Sequence, residues 1–129
     1  MNRDHLKRVG LAAAYFAVVV LVIWLADHRD TQFIFGWIHA IPGSDKLCHF
    51  LILGGLAFVA NYALGCRTVA IAGKPVLLGS LAVLILATAE ETSQLYIPGR
   101  SFDLLDLAAD ALGIWLVGRL ACRLATAKP

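Results

Sequence analysis

Apolar positions along the chain fall into four long runs, residues 9–26, 46–64, 76–96 and 103–124, separated by short polar stretches. At about 1.5 Å per helical residue, runs of this length predict four helices that each cross a hydrocarbon core roughly 30 Å thick. The first run contains no charged residue and follows a basic stretch with Arg3, Lys7 and Arg8. It exceeds the roughly 7–15 apolar residues of a signal peptide, and Leu25-Ala26-Asp27-His28 lacks small residues at a cleavage site, so an uncleaved anchor is expected. Between the first two runs, Phe33, Ile34, Trp37, Ile38 and Ile41 recur at helical spacing and stop at Pro42-Gly43. This predicts a short amphipathic helix lying in the membrane interface. Ser44 is placed to cap the second spanning helix. Residues 65–75 read as a short loop, and Ile97-Pro98-Gly99-Arg100 as a tight turn, because proline presets φ and glycine accepts a positive φ after it.

Composition agrees with a membrane solvent. The 129 residues are 60% hydrophobic and only 16% charged, with a mean hydropathy of +0.77. The fold class expected is all-α, an integral membrane bundle of four transmembrane helices forming one domain over residues 1–129. Arg3, Lys7, Arg8, Arg67, Lys74, Arg119, Arg123 and Lys128 fall on one side of such a bundle, and Arg29, Lys46 and Arg100 on the other. The positive-inside rule then puts both termini in the cytoplasm of a multi-pass cell-membrane protein. A net charge of +2 gives no reason to expect nucleic acid. Cys48, Cys66 and Cys122 show no CxxC pattern and read as small apolar helix residues.

This topology brings polar groups from three segments to the outer face: Asp45, Lys46 and His49 from the second span, Glu90, Glu91 and Gln94 from the third, and Arg100, Asp103, Asp106 and Asp110 from the turn and the fourth. Asp103, Asp106 and Asp110 share one helix face, which Gly113 and Val117 continue. Carboxylates in a first helical turn satisfy backbone donors, a structural role that suits Asp45, Asp103 and Asp106 as well as a place in a site does. Glu90 and Glu91 sit near a helix C-terminus, where the backbone dipole repels them, and Asp110 is too deep to cap. The acids outnumber the bases. That excess requires a proton held on at least one carboxyl group or a bound divalent cation, for which Glu90, Asp106 and Asp110 would be the ligands and Mg, Ca or Mn the suited ions. His49 and Glu91 are the candidate acid and base. Lys46, Gln94, Arg100 and Asp103 are the candidate ligand-binding groups, with the Arg100 fork suited to phosphate or carboxylate. HExxH, Walker, GxSxG and Rossmann patterns are absent.

The ordered set Asp45-Lys46-x-x-His49-Phe50, Glu91-x-x-Gln94, Pro98-Gly99-Arg100, Asp103-x-x-Asp106 and Asp110-x-x-Gly113 resembles the VanZ-like family of small integral membrane proteins. The resemblance covers the second to the fourth span. It implies a multi-pass membrane protein linked to resistance to teicoplanin and related glycopeptides. The expectation is a pocket for an anionic lipid-linked headgroup, such as a polyprenyl phosphate or a cell-envelope precursor, with membrane lipids as partners. The alternatives are a membrane-embedded phosphoryl or acyl hydrolase or transferase, and a non-catalytic cluster that clasps the bundle or docks another membrane protein.

Overall fold

The computed structural model describes residues 2–28, 33 and 35–127. Arg29, Ile34 and Lys128, used above for topology and for the interfacial pattern, lie outside the described residues. The chain is mostly helical, and the order is α1 (Arg3–Asp27), α2 (Gly36–His39), α3 (Ser44–Ala63), a hairpin of β1 (Thr68–Ile71) and β2 (Lys74–Leu77), α4 (Leu78–Ser93) and α5 (Leu104–Thr126). Two of these helices, α1 and α3, are long and apolar enough to cross a membrane by length and composition.

The central pair is α3 and α5, which make the most extensive helix contact, with α1 packed on α3 and α4 packed on both. His49 meets Asp110 near one end of the pair, while Cys66 meets Cys122 at the other, so α3 and α5 run parallel. They come together backbone to backbone because Gly113 has no side chain. A Cβ there would collide with the Phe50 carbonyl. Close approach through small residues lets two helices gain backbone dispersion contacts. Leu56, Ala57, Val83, Ala87 and Ile114 form the core around this contact, with Val19 of α1 closing it. The Tyr15 hydroxyl donates to the Ile52 carbonyl at 3.2 Å and pins α1 to α3.

Four local expectations are corrected. The third apolar run does not begin as helix, because residues 74–77 are strand. Thr68, Val69, Ile71 and Val76 supply β-branched side chains, and Ala72 and Gly73 both take positive φ, 49° and 76°, the backbone of a two-residue primed hairpin turn. Ser44 is not a cap. Gly43 occupies that position at φ 79°, and the Ser44 hydroxyl instead donates backward to the carbonyls of Ile38 and Ile41. The interfacial helix is reduced to the single turn of α2, although Phe33, Trp37 and Ile41 do present exposed apolar side chains. Finally, Cys66 and Cys122 are not isolated apolar residues but a disulfide, their Cα atoms 5.7 Å apart. Only the parallel pairing of α3 and α5, which spacing along the chain does not reveal, brings them together. Cys48 is a free thiol.

Candidate functional site

At one end of the bundle the starts of α3 and α5 meet the end of α4. Parallel packing of α3 against α5 sets Lys46 opposite Asp106 and His49 opposite Asp110. The Lys46 ammonium donates to three carboxylates: Asp106 at 2.8 Å, and Asp45 and Asp103 at 3.1 Å each. Three donors on a compact ammonium match three carboxylate acceptors, so Lys46 is saturated within the protein. His49 lies one turn deeper. Its Nδ1 is 3.1 Å from Asp110 Oδ1 and its Nε2 is 3.8 Å from Asp106 Oδ2. Asp110 is fully buried, and an imidazole held through one nitrogen by a buried carboxylate has its other nitrogen fixed in direction.

The turn between α4 and α5 builds a second cluster. Gly99 takes φ 86°, and the Arg100 N–H donates to the Ile97 carbonyl at 3.1 Å, the closed turn expected of Pro-Gly. This turns Arg100 back over the end of α4. Its Nε donates to Gln94 Oε1 at 3.2 Å, and its terminal nitrogens stand 3.3 Å from Asp27 and 3.8 Å from Glu90. Gln94 in turn donates through Nε2 to Glu90 at 2.9 Å and to Glu91 at 3.2 Å. The dipole penalty on these two glutamates is thus offset by an amide and a guanidinium.

Glu91 is fully buried. Its Oε1 accepts from the Asp103 backbone N–H at 2.6 Å, which fastens the end of α4 to the start of α5, where Asp103 caps the helix by accepting from the Leu105 N–H at 2.8 Å.

Between these clusters lies a cavity of about 580 Å³, of the size that holds a small organic ligand. Its polar end is lined by Asp45, His49, Glu90, Gln94, Arg100, Asp103, Asp106 and Asp110, and its other walls by apolar side chains of α1, α3 and α4, including Val20, Ile23, Leu53, Leu56 and Leu86. Of the residues singled out from sequence, only Lys46 and Glu91 do not line it. Among the described residues no group of three or more His, Cys, Asp or Glu side chains is placed to hold a metal ion. Glu90, Asp106 and Asp110 are drawn instead to Gln94, Lys46 and His49 respectively.

Sequence reasoning missed two polar groups. Asp27 closes the Arg100 cluster; its signal was an acid directly after the first apolar run, at the end of the expected bundle that carries the other polar groups. Asn61, fully buried in α3, donates to Ser80 Oγ at 2.8 Å and to the Gly118 carbonyl at 3.1 Å, and accepts from the Ser80 N–H at 3.1 Å. A lone amide in an apolar run was its signal. It ties α3, α4 and α5 together at a different level from the cavity and is structural. No family model, no curated protein and no solved structure matches the chain.

Proposed function

We propose that this chain is a four-span, VanZ-like protein of the cell membrane, with both termini in the cytoplasm, whose outer-face cavity recognises a lipid-linked headgroup bearing a phosphate. The observation that carries this reading is the cavity itself, charged and hydrogen-bonding at one end and apolar along the rest, the shape and chemistry of an amphiphile. A membrane solvent is supported by large apolar side chains on the outer surface of the helices, around an interior that is apolar except for a few polar groups bonded to one another. The largest fully buried side chains are Glu91, Asn61 and Asp110, whereas Leu11, Val18, Leu21, Leu112, Trp115 and Leu120 point outward. In this reading α4, continued by the turn Gln94–Tyr96, and the 23-residue α5 are the third and fourth spans.

Arg100 is the permanent cation on the cavity wall and would take the phosphate, with Gln94 orienting it. A lipid-linked cell-envelope precursor has this character and would account for a link to glycopeptide resistance. The test is to purify the protein with native lipid and identify what stays bound. Enrichment of a phosphate-bearing lipid that Arg100→Ala abolishes supports the reading; no enrichment, or the same enrichment in Arg100→Ala, contradicts it.

The His49 and Asp110 pair favours a second reading, a hydrolase or transferase acting on such a lipid. A buried carboxylate that orients an imidazole toward a ligand cavity is the arrangement of a general base. Turnover of lipid phosphates that is lost in His49→Ala while lipid binding persists would support it; binding without turnover would remove it.

A further inference from the structure

We infer that the headgroup taken by this cavity carries an amine beside its phosphate, so that the ligand is a zwitterionic aminolipid with its chain in the slot between α1 and α4. The inference rests on the amphiphile reading above and names its chemical class. Five carboxylates line the cavity, Asp45, Glu90, Asp103, Asp106 and Asp110, and the cations facing them are Arg100 and, when protonated, His49. Lys46 does not line the cavity, and its single charge is shared among three of those acids, so carboxylates remain in excess over cations after that pairing. A headgroup that is only anionic finds one guanidinium, itself partnered by Asp27 and Glu90, in a field of like charge. A headgroup with an ammonium next to its phosphate matches both: the phosphate on Arg100, and the ammonium on the carboxylates of Asp45 and Glu90. The protein shows the same solution internally, since the Lys46 ammonium sits among carboxylates at 2.8–3.1 Å.

The apolar part of the cavity fits the chain of such a molecule. The slot is walled by Val20 and Ile23 of α1, by Leu53 and Leu56 of α3 and by Leu86 and Ala87 of α4. Packing joins α1 to α3 and α4 to α3 and α5, so α1 and α4 stand as the two sides of the slot, with α3 as its floor. A lipid chain lying there remains continuous with its headgroup at Arg100.

The experiment is competition between lipids of identical chains, read by native mass spectrometry of the full-length protein. Phosphatidylethanolamine, phosphatidic acid and phosphatidylglycerol are the probes. The expected result is retention of phosphatidylethanolamine on the order of tenfold over the other two. That preference should shrink toward equality in the Asp45→Asn, Glu90→Gln double variant with phosphatidic acid retained at least as well as before, while Arg100→Ala weakens all three. The wild-type ratio tests the inference even if the double variant does not fold. Equal or better retention of phosphatidic acid or phosphatidylglycerol overturns the amine while leaving the phosphate reading intact, as does a preference that the double variant leaves unchanged. Retention of none of the three overturns both.

Discussion

His49 Nδ1 lies 3.1 Å from Oδ1 of Asp110, an acid on another helix, 61 residues away, with almost no solvent exposure. The imidazole is the partner that makes the burial of this carboxylate tolerable. His49→Ala strands the acid and is expected to destabilise the fold by about 3–5 kcal/mol, the usual consequence of unpairing a buried charge. Adding Asp110→Asn to His49→Ala should recover a large part of that loss. Denaturation of the single and double variants in detergent measures the coupling; additive losses would show that the two residues do not act as a pair.

The contact that aligns this pair is the meeting of Gly113 with the Phe50 carbonyl, where a Cβ finds no room. Gly113→Ala should therefore destabilise the bundle by about 1–3 kcal/mol and loosen the His49 and Asp110 register. At Gly10 of α1 a Cβ meets nothing, and Gly10→Ala should leave stability unchanged or raise it by about 0.4–1 kcal/mol. Thermal melts of the two variants side by side provide the check.

Asn61 makes its three hydrogen bonds to α4 and α5 from a fully buried position. Asn61→Leu removes them and leaves the Gly118 carbonyl and Ser80 with lost partners, for an expected loss of about 1–3 kcal/mol. Because Asn61 does not line the cavity, lipid retention per folded molecule should be unaltered, which native mass spectrometry of the variant would show.

Orientation and cysteine chemistry are linked. The positive-inside reading puts Cys66 and Cys122 at the cytoplasmic end, where thiols are kept reduced, so in that reading the disulfide of the structure is the oxidised form of a pair that the cell holds as thiols. Alkylation in intact cells followed by mass analysis should accordingly find both cysteines as thiols, and oxidation after lysis should close the bond across its separation of 56 residues. Closure is expected to raise stability by about 2–4 kcal/mol in the loop-entropy picture. A disulfide already complete in intact cells would place this end in an oxidising compartment and reverse the proposed topology.

Much of the site was legible in the sequence because helical periodicity and span order are local properties. The i, i+3, i+7 spacing of Asp103, Asp106 and Asp110, and the four-residue spacings Asp45 to His49 and Glu90 to Gln94, place these side chains on faces that do meet. The Pro98-Gly99 turn formed as its residues require. What escaped depends on pairing between distant segments. That α3 and α5 run side by side in parallel decides which acid faces Lys46, which faces His49, and that Cys66 reaches Cys122. Glu91 was distinguishable from Glu90 only once Asp103 N–H arrived to occupy it, since adjacent helical residues differ by about 100° in direction and the sequence does not say which faces the neighbour. The hairpin after α3 was hidden by apolar β-branched residues that a short run does not assign to strand or helix.

In the proposed function an amphiphile occupies the cavity with its polar head at the acidic end. An experimentally determined structure of the protein in native lipid, at a resolution that shows bound lipid, tests it most directly. The expected result is elongated density running from Arg100 and Gln94 past His49 and along Val20, Ile23, Leu53 and Leu86. A cavity that is filled by its own side chains, or by water alone, would contradict it.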